Sequence, residues 1–311
     1  MTLAELYIQL DTFIQTCKET GDKPLIVILG QTASGKTELS IDIAKRVDGE
    51  VISTDSRQVY KYMDIGTAKI TEEEKKGIKH HLIDIVEPDQ PFNLSDFIQK
   101  ARFAIKEIQE KNKVPMLVGG TGLYISAIVE NYKISKAQPD LILRKQLEEE
   151  YKKHGAEYLH QKLKKLDPKS AANIHPNNVR YVIRAIEINL ATKNQKKDQK
   201  GAPKFAVFNI GIDWPRELLY KRINKRADIQ IKKGLLEEVQ SILDKGYDTN
   251  LPSMASIGYQ EIIPYLKGKT TLEEAKEILK RNTRRYAKRQ MTWFKRYKHV
   301  NWLDYSELNK I

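Results

Sequence analysis

The stretch Gly30-Gln31-Thr32-Ala33-Ser34-Gly35-Lys36-Thr37 decides the fold of this chain. It matches the phosphate-binding pattern G-x-x-x-x-G-K-[ST] and lies between an apolar run and a helical pattern. Glycines in such a turn let backbone N–H groups curl around phosphate oxygens, and the following helix adds the positive end of its dipole. Lys36 supplies a point charge, and the Thr37 hydroxyl can complete the shell of a magnesium ion. The stretch therefore predicts a strand–loop–helix unit that binds a phosphorylated ligand, without specifying the reaction.

Short apolar runs and longer helical patterns alternate on both sides of this loop. The runs that predict buried strands are Leu25–Leu29, Val51–Ser53, Leu82–Val86, Met116–Val118, Phe205–Ile212 and the short Val300–Leu303. Helical patterns such as Thr37–Val47 and Leu94–Glu110 separate them, and residues 1–22 read as a short amphipathic helix. This alternation predicts an α/β fold of the P-loop NTPase type, in which helices flank a parallel sheet.

The alternation stops between about residues 134 and 199. Leu143–Lys165 and Asn178–Leu190 have charged helical patterns, and the polar stretch Lys193–Lys200 predicts an exposed loop. Because a strand pattern returns afterwards, we interpret this block as an all-helical domain inserted in the sheet domain. The predicted organisation is a P-loop core over 1–132, a helical insertion over 133–200, and the continued core over 201–311.

Composition indicates the class of partner and the compartment. Lysines and arginines number 54 against 41 acidic residues, which gives a formal net charge of +13. Such a field attracts polyanions, nucleic acid above all, although solubilising lysines would give the same number. The single cysteine, Cys17, excludes an intramolecular disulfide and a cysteine-based metal site. The N-terminus lacks a signal-peptide pattern, and no apolar run is long enough to span a membrane, so we expect a cytoplasmic protein without a membrane partner.

Two further segments are expected beside the phosphate loop. Asp55 follows the second predicted strand, at the end where ligands bind in parallel sheets. It is a candidate proton acceptor or magnesium ligand, or alternatively a turn or helix-capping residue. The glycine-rich turn at 118–124 also follows a strand, which should bring Thr121 to the same crevice. His80 and His81 lack metal-ligand spacing and are interpreted as structural.

The segment 280–298 is the strongest candidate for a nucleic-acid surface. It contains nine lysines and arginines, four aromatic residues and no acidic residue. On a helix, Arg281, Arg285, Lys288 and Arg296 share a broad polar side, which favours phosphate contacts. The alternative is an ordinary amphipathic helix with a solvated basic face.

Seven segments, taken together, resemble the tRNA dimethylallyltransferase (tRNA isopentenyltransferase) family. They are GQTASGKT at 30–37, DSRQVYKYMDIGTAK at 55–69, HHLID at 80–84, VGGTGLY at 118–124, NNVRYVIRAIE at 177–187, SIGYQE at 256–261 and TRRYAKRQMTWFKR at 283–296. The resemblance runs from about residue 25 to the C-terminus. It departs from the family at Gln31, where proline is usual. No counterpart of the eukaryotic C-terminal zinc finger follows, which favours the bacterial type.

The resemblance implies a reaction and a set of residue roles. The P-loop would hold the diphosphate of dimethylallyl diphosphate, and N6 of the adenine at tRNA position 37, next to the anticodon, would attack the allylic carbon. The implied catalytic residues are Asp55 as general base, Thr121 for placement and Arg226 for the leaving group. Arg226 is assigned by matching the pattern IxxR at 223–226, which is expected to precede a helix, and the alternative is a surface salt bridge. The cofactor would be Mg²⁺ at Thr37. The implied diphosphate-binding residues are Gly30, Thr32, Ala33, Ser34, Gly35, Lys36 and Thr37.

The resemblance also implies a tRNA-binding surface that grips the anticodon stem-loop, on a protein that acts as a monomer. The implied contacts are Asp55, Ser56, Arg57, Gln58, Thr121, Arg144, Arg180, Arg184, Lys288, Arg289, Gln290, Trp293 and Arg296. Three other interpretations remain at this point: a prenyltransferase acting on free adenine nucleotides, a P-loop small-molecule kinase, and a non-catalytic RNA-binding protein.

Overall fold

A computed structural model describes residues 1–133, 140–192 and 200–311, so residues 193–199 of the loop predicted over 193–200 lie outside the described residues. The chain divides into two compact units. A sheet unit comprises residues 1–129 and 203–311, and a helical unit comprises residues 130–202. In the described ranges, no helix combines the length and the apolar character that a membrane span requires.

The sheet unit is built on six parallel strands in the order β3-β2-β4-β1-β5-β6. The strands are β1 (Pro24–Leu29), β2 (Gly49–Ser53), β3 (His80–His81), β4 (Val114–Gly119), β5 (Ala206–Asp213) and β6 (Val300–Asp304). Every residue of β2 and β4 is buried, as expected for strands covered by helices on both faces. The predicted α/β fold is confirmed.

One predicted strand was misplaced. The apolar run at 82–86 does not form β3, because Leu82 and Asp84 have positive φ angles of 64° and 55°. Such angles break an extended strand. The paired residues are instead His80 and His81, beside Val51 and Ile52 of β2. His81 Nε2 lies 2.8 Å from the buried carboxylate of Glu50, which supports its structural interpretation.

Helices flank the sheet. Those of the sheet unit are α1 (Leu3–Thr20), α2 (Lys36–Val47), α3 (Glu72–Lys75), α4 (Leu94–Glu110), α5 (Gly122–Val129), α9 (Arg216–Lys232), α10 (Leu235–Asp244), α11 (Tyr259–Leu266) and α12 (Leu272–Phe294). The bounds of α4 match its sequence pattern, because the Asn93 side chain accepts hydrogen bonds from the Ser95 and Asp96 amides and fixes the first turn. Cys17 is a buried packing residue on α1.

The helical unit contains α6 (Leu141–Leu166), α7 (Pro168–Asn173) and α8 (Val179–Thr192). Gly155 interrupts α6 with a φ of 84°, a conformation that glycine adopts without a steric cost. The core of the helical unit is apolar and includes Leu147, Leu163 and Ile186. The helix predicted over 143–165 is therefore two helical segments joined at a kink.

The buried carboxylate of Glu187 holds two arginines of the helical unit. Arg144 donates to both of its oxygens at 2.9 Å, and Arg184 donates to Oε2. Burial by itself raises the pKa of Glu187, but the hydrogen bonds from Arg144 and Arg184 outweigh it and hold this pKa below its usual range. Arg180, one turn earlier on α8, is exposed. Two of the three arginines of the helical unit that were predicted to contact tRNA thus also have a structural partner.

Replacing Glu187 with glutamine should lower the free energy of unfolding at pH 7 by about 2 kcal/mol, because both arginines lose a buried anion but remain a third exposed and can be hydrated. A carboxylate with a depressed folded-state pKa stabilises above its unfolded pKa and loses this effect as the pH falls through the folded pKa. The difference from wild type should therefore shrink below about pH 4. Urea unfolding at several pH values measures it, with the exposed Glu149→Gln as the matched control. An equal loss at pH 7 in both variants would contradict the assignment.

Candidate active site

A pocket of about 470 Å³ opens at the carboxyl ends of β1, β2 and β4. This is the edge of a parallel sheet at which ligands bind, and the volume suits a small diphosphate ester. The predicted site residues that line it are Thr32, Ala33, Ser34, Gly35, Lys36, Thr37, Asp55, Gln58, Arg226 and Gln290. Four separate segments of the sheet unit therefore converge on one cavity.

The phosphate-binding loop is fixed from outside through its carbonyl groups. Arg222 Nε donates to the Ala33 carbonyl at 3.1 Å, and Trp214 Nε1 donates to the Ser34 carbonyl at 3.0 Å. Ala33 and Gly35 both have positive φ, of 62° and 91°, which produces the concave backbone of an anion-binding nest. Gly30 lies at the start of the loop.

The first turn of α2 is available to an anion. No described side chain caps it, so the amides of its first residues, Lys36 and Thr37, are left for a ligand. The Ser34 hydroxyl is buried and has no hydrogen-bond partner among the described residues. A buried donor without a partner is costly unless a ligand completes it. This part of the loop has the donors that a diphosphate needs.

Two cations face one carboxylate in the pocket. Lys36 Nζ donates to the Gln31 carbonyl at 2.6 Å. Burial, together with the nearby charge of Arg226, lowers the pKa of Lys36 to about 7, while Asp55 acts in the opposite direction. Burial also lowers the pKa of Arg226. An anion in the pocket would relieve the repulsion between the two cations, so the site favours a negatively charged ligand.

Arg226 occupies a different local position from the one expected. The segment Ile223–Arg226 was expected to precede a helix, whereas it lies inside α9. Within the described ranges Arg226 forms no salt bridge shorter than 4 Å, although Asp55 contributes to its electrostatic environment. The arginine is thus a pocket residue, not part of a surface ion pair.

Asp55 organises the turn after β2. Its Oδ1 accepts from the amides of Arg57 at 2.8 Å and Gln58 at 3.4 Å. The Ser56 amide donates to Thr121 Oγ1 at 3.3 Å, which joins this turn to the glycine-rich turn after β4. The Arg57 guanidinium donates to the Pro252 carbonyl at 2.8 Å. The turn-forming role considered for Asp55 is therefore real, and it leaves the carboxylate in the pocket wall.

Tyr286 is a pocket residue that the sequence interpretation treated only as one aromatic of a basic segment. Its side chain lines the pocket beside Gln290. Burial and the negative charge of Asp55 raise the pKa of the Tyr286 phenol above its usual value. The sequence could have indicated this position, because Tyr286 lies one turn before Gln290 on α12 and that spacing puts both side chains on one helix face.

Glu238 fixes another wall of the pocket and was also missed. Its carboxylate accepts from the amides of Asp64, Ile65 and Gly66 at 2.7–3.0 Å, and from the Tyr259 hydroxyl at 2.6 Å. The loop that it holds continues into Thr67 and Ala68, which line the pocket. The contact joins residues more than 170 positions apart, which no local pattern predicts.

The basic face of α12 comprises the exposed Arg281, Arg285, Lys288 and Arg289. Among the described residues none of them has a carboxylate within 4 Å, whereas Lys280 pairs with Asp228 and Glu277. Trp293 packs inward, with Nε1 3.3 Å from Ser126 Oγ, and the exposed Arg296 lies 5.3 Å from its ring. The helix thus presents uncompensated positive charge to solvent.

Comparison with known proteins shows the family. The family model "IPP transferase" matches residues 58–297. A curated tRNA dimethylallyltransferase of Acetivibrio thermocellus is 52% identical over 92% of this chain and 93% of its own. The crystal structure of a full-length tRNA isopentenylpyrophosphate transferase from Bacillus halodurans has a TM-score of 0.70 and 45% identity, over 93% of this chain and 94% of that one. A eukaryotic dimethylallyltransferase acting on tRNA gives a TM-score of 0.81 and 31% identity, over 93% and 75%.

These likenesses agree with the seven sequence segments and with the P-loop pocket. The family predicted from the sequence is therefore confirmed, and the chain belongs to the IPP transferase family, whose curated relative in Acetivibrio thermocellus is a tRNA dimethylallyltransferase.

Proposed function

We propose that this enzyme transfers the dimethylallyl group of dimethylallyl diphosphate to N6 of the adenine at position 37 of tRNA, and releases diphosphate. The observation that carries the proposal is the convergence of the phosphate-binding loop, two half-buried cations and one carboxylate in a single pocket. An enzyme that transfers a carbon group needs to hold a leaving diphosphate and to accept a proton, and this pocket contains groups for both.

The leaving group is bound by the loop. Lys36 and Arg226 neutralise the charge that develops on diphosphate as the bond between C1 and its oxygen breaks. The Ser34 hydroxyl and the first amides of α2 donate to its oxygens. Both electrons of the broken bond leave with diphosphate, so these donors act on the atom that gains the charge.

The acceptor is activated by Asp55. As the N6–C1 bond forms, N6 loses a proton, and the Asp55 carboxylate takes it. Thr121 positions the acceptor, since its hydroxyl accepts a hydrogen bond from the Ser56 amide and so joins the turn after β2 to the turn after β4. The adenine must leave the stacked anticodon loop to reach this pocket.

The donor set fits a magnesium ion. In the described ranges no cluster of three or more His, Cys, Asp or Glu residues could enclose a metal. Mg²⁺ needs no such cage when phosphate oxygens supply ligands, and the exposed Thr37 hydroxyl is placed on the loop that would hold them. When bound, the ion would add charge neutralisation to that of Lys36.

We further propose that the anticodon stem-loop of tRNA contacts the basic face of α12, and that the helical insertion predicted over 133–200 helps to clamp the tRNA through Arg144, Arg180 and Arg184. The exposed charge of that face and of Arg180 supports this proposal. The enzyme is proposed to act as a monomer, as the family resemblance implies.

Radiolabelled dimethylallyl diphosphate, offered with Mg²⁺ to unmodified tRNA and separately to AMP, tests the proposed function. We expect label in tRNA alone. Label in AMP would indicate a prenyltransferase of free nucleotides. Absence of label with consumption of ATP would indicate a kinase, and both outcomes would overturn the proposal.

A further inference from the structure

The side chain of Gln290 bridges the two loops of the pocket. Its Oε1 accepts from the Thr32 amide at 2.8 Å, and its Nε2 donates to the Gly120 carbonyl at 3.0 Å. Gln290 is only 5% exposed. Gln290 lines the pocket, yet both polar atoms of its side-chain amide are hydrogen-bonded to backbone groups of this chain.

A second glutamine repeats the connection from the opposite side. Gln31 Nε2 donates to the Ala287 carbonyl of α12 at 3.0 Å, and Gln31 is buried as well. The first half of the phosphate-binding loop is thus attached to α12 at two adjacent residues. Arg222 and Trp214 hold the carbonyls of Ala33 and Ser34, whereas Gln290 holds the Thr32 amide.

Gly120 makes room for this bridge. A Cβ at Gly120 would lie 2.0 Å from Gln290 Nε2, closer than atoms can approach. Glycine is therefore needed at position 120 because a Cβ there would displace the Gln290 amide, whether or not a ligand is bound. The site is built so that the amide fits between the two loops.

We infer that Gln290 is a positioning residue that holds Thr32 of the phosphate-binding loop against the Gly120 turn, and that it is not a contact of the nucleic acid. The inference deepens the proposed function and rests on the loop being the diphosphate site. The same helix carries the basic face outward through Lys288 and Arg289. Its inward face positions the phosphate-binding loop, which binds the leaving diphosphate.

The test compares two affinities in Gln290→Met, which keeps the length of the side chain and loses both hydrogen bonds. With Mg²⁺ present, the dissociation constant of inorganic diphosphate should rise on the order of tenfold, because the Thr32 amide and the Gly120 carbonyl lose their partner. The affinity for an anticodon stem-loop RNA should stay within about twofold. In the transfer reaction, KM for the prenyl donor should rise more than kcat falls.

Two further variants keep the test decisive. Gly120→Ala displaces the Gln290 amide and should reproduce the loss of diphosphate affinity. The double variant should bind diphosphate no more weakly than either single variant, because both substitutions remove the same bridge between Thr32 and Gly120. Gln260→Met, at an exposed position of α11, is the matched control and should behave as wild type.

A loss of RNA affinity with unchanged diphosphate affinity in Gln290→Met would overturn the inference and make Gln290 an RNA contact. Additive losses in the double variant would also overturn it. If the wild-type protein itself fails to bind diphosphate, the proposed function fails instead, so the two failures are distinguishable.

Discussion

Replacing Asp55 with asparagine is expected to slow prenyl transfer by about 10²- to 10⁴-fold, while tRNA affinity stays within about twofold. N6 of adenine is a weak nucleophile that must lose a proton as it bonds to carbon, and Asp55 is the pocket's carboxylate among the predicted site residues. Asparagine keeps the oxygen that accepts the Arg57 and Gln58 amides, so the turn survives and only the proton acceptor is lost. Single-turnover transfer to tRNA, with filter binding of the same RNA, measures both quantities.

Asparagine separates the two roles of Asp55 more sharply than alanine does. If Asp55 served only to shape the turn, Asp55→Asn would retain most of the activity and Asp55→Ala would lose it together with tRNA affinity. Retained turnover in Asp55→Asn would therefore contradict the assignment of Asp55 as the general base.

Replacing Lys36 with methionine is expected to lower kcat/KM for dimethylallyl diphosphate by about 10²- to 10³-fold. The ammonium group stabilises the charge that accumulates on the leaving diphosphate, and methionine fills the space of its stem without that charge. Affinity for tRNA should not change, because Lys36 lies in the pocket and not on the basic face of α12. Steady-state kinetics with the donor varied at saturating tRNA gives the comparison.

The matched control is Lys45→Met, on an exposed part of the same helix. Its kinetics should match those of wild type. A similar drop in both lysine variants would mean that damage to α2, rather than loss of the pocket charge, causes the effect.

The sequence predicted the sheet because its signals are local. The phosphate-binding pattern at 30–37 and the alternation of apolar runs with helical patterns are both readable within windows of about 15 residues. The exception is β3, where positive φ angles at Leu82 and Asp84 divert an apolar run out of the sheet. Backbone angles of that kind leave little trace in hydrophobic periodicity.

The site residues that could be predicted are those that belong to recognisable sequence motifs. Lys36, Asp55 and Arg226 come from separate segments, and the structure places all three in one pocket. The family resemblance led us to expect that Gln290 contacts tRNA, whereas its contact with Thr32 spans 258 positions. Such a contact depends on how α12 packs against the sheet unit, which periodicity does not encode. The pairing of Arg184 with Glu187 was readable, since the residues lie three apart on one helix.

The measurement that tests the central claim most directly is nucleoside analysis, by mass spectrometry, of an unmodified tRNA transcript after reaction with dimethylallyl diphosphate and Mg²⁺. A transcript with guanine in place of the adenine at position 37 is reacted in parallel. We predict a single new nucleoside, N6-dimethylallyladenosine, in the first transcript and none in the second. Prenylation of both transcripts, or of neither while the γ-phosphate of added ATP is transferred, would contradict the account.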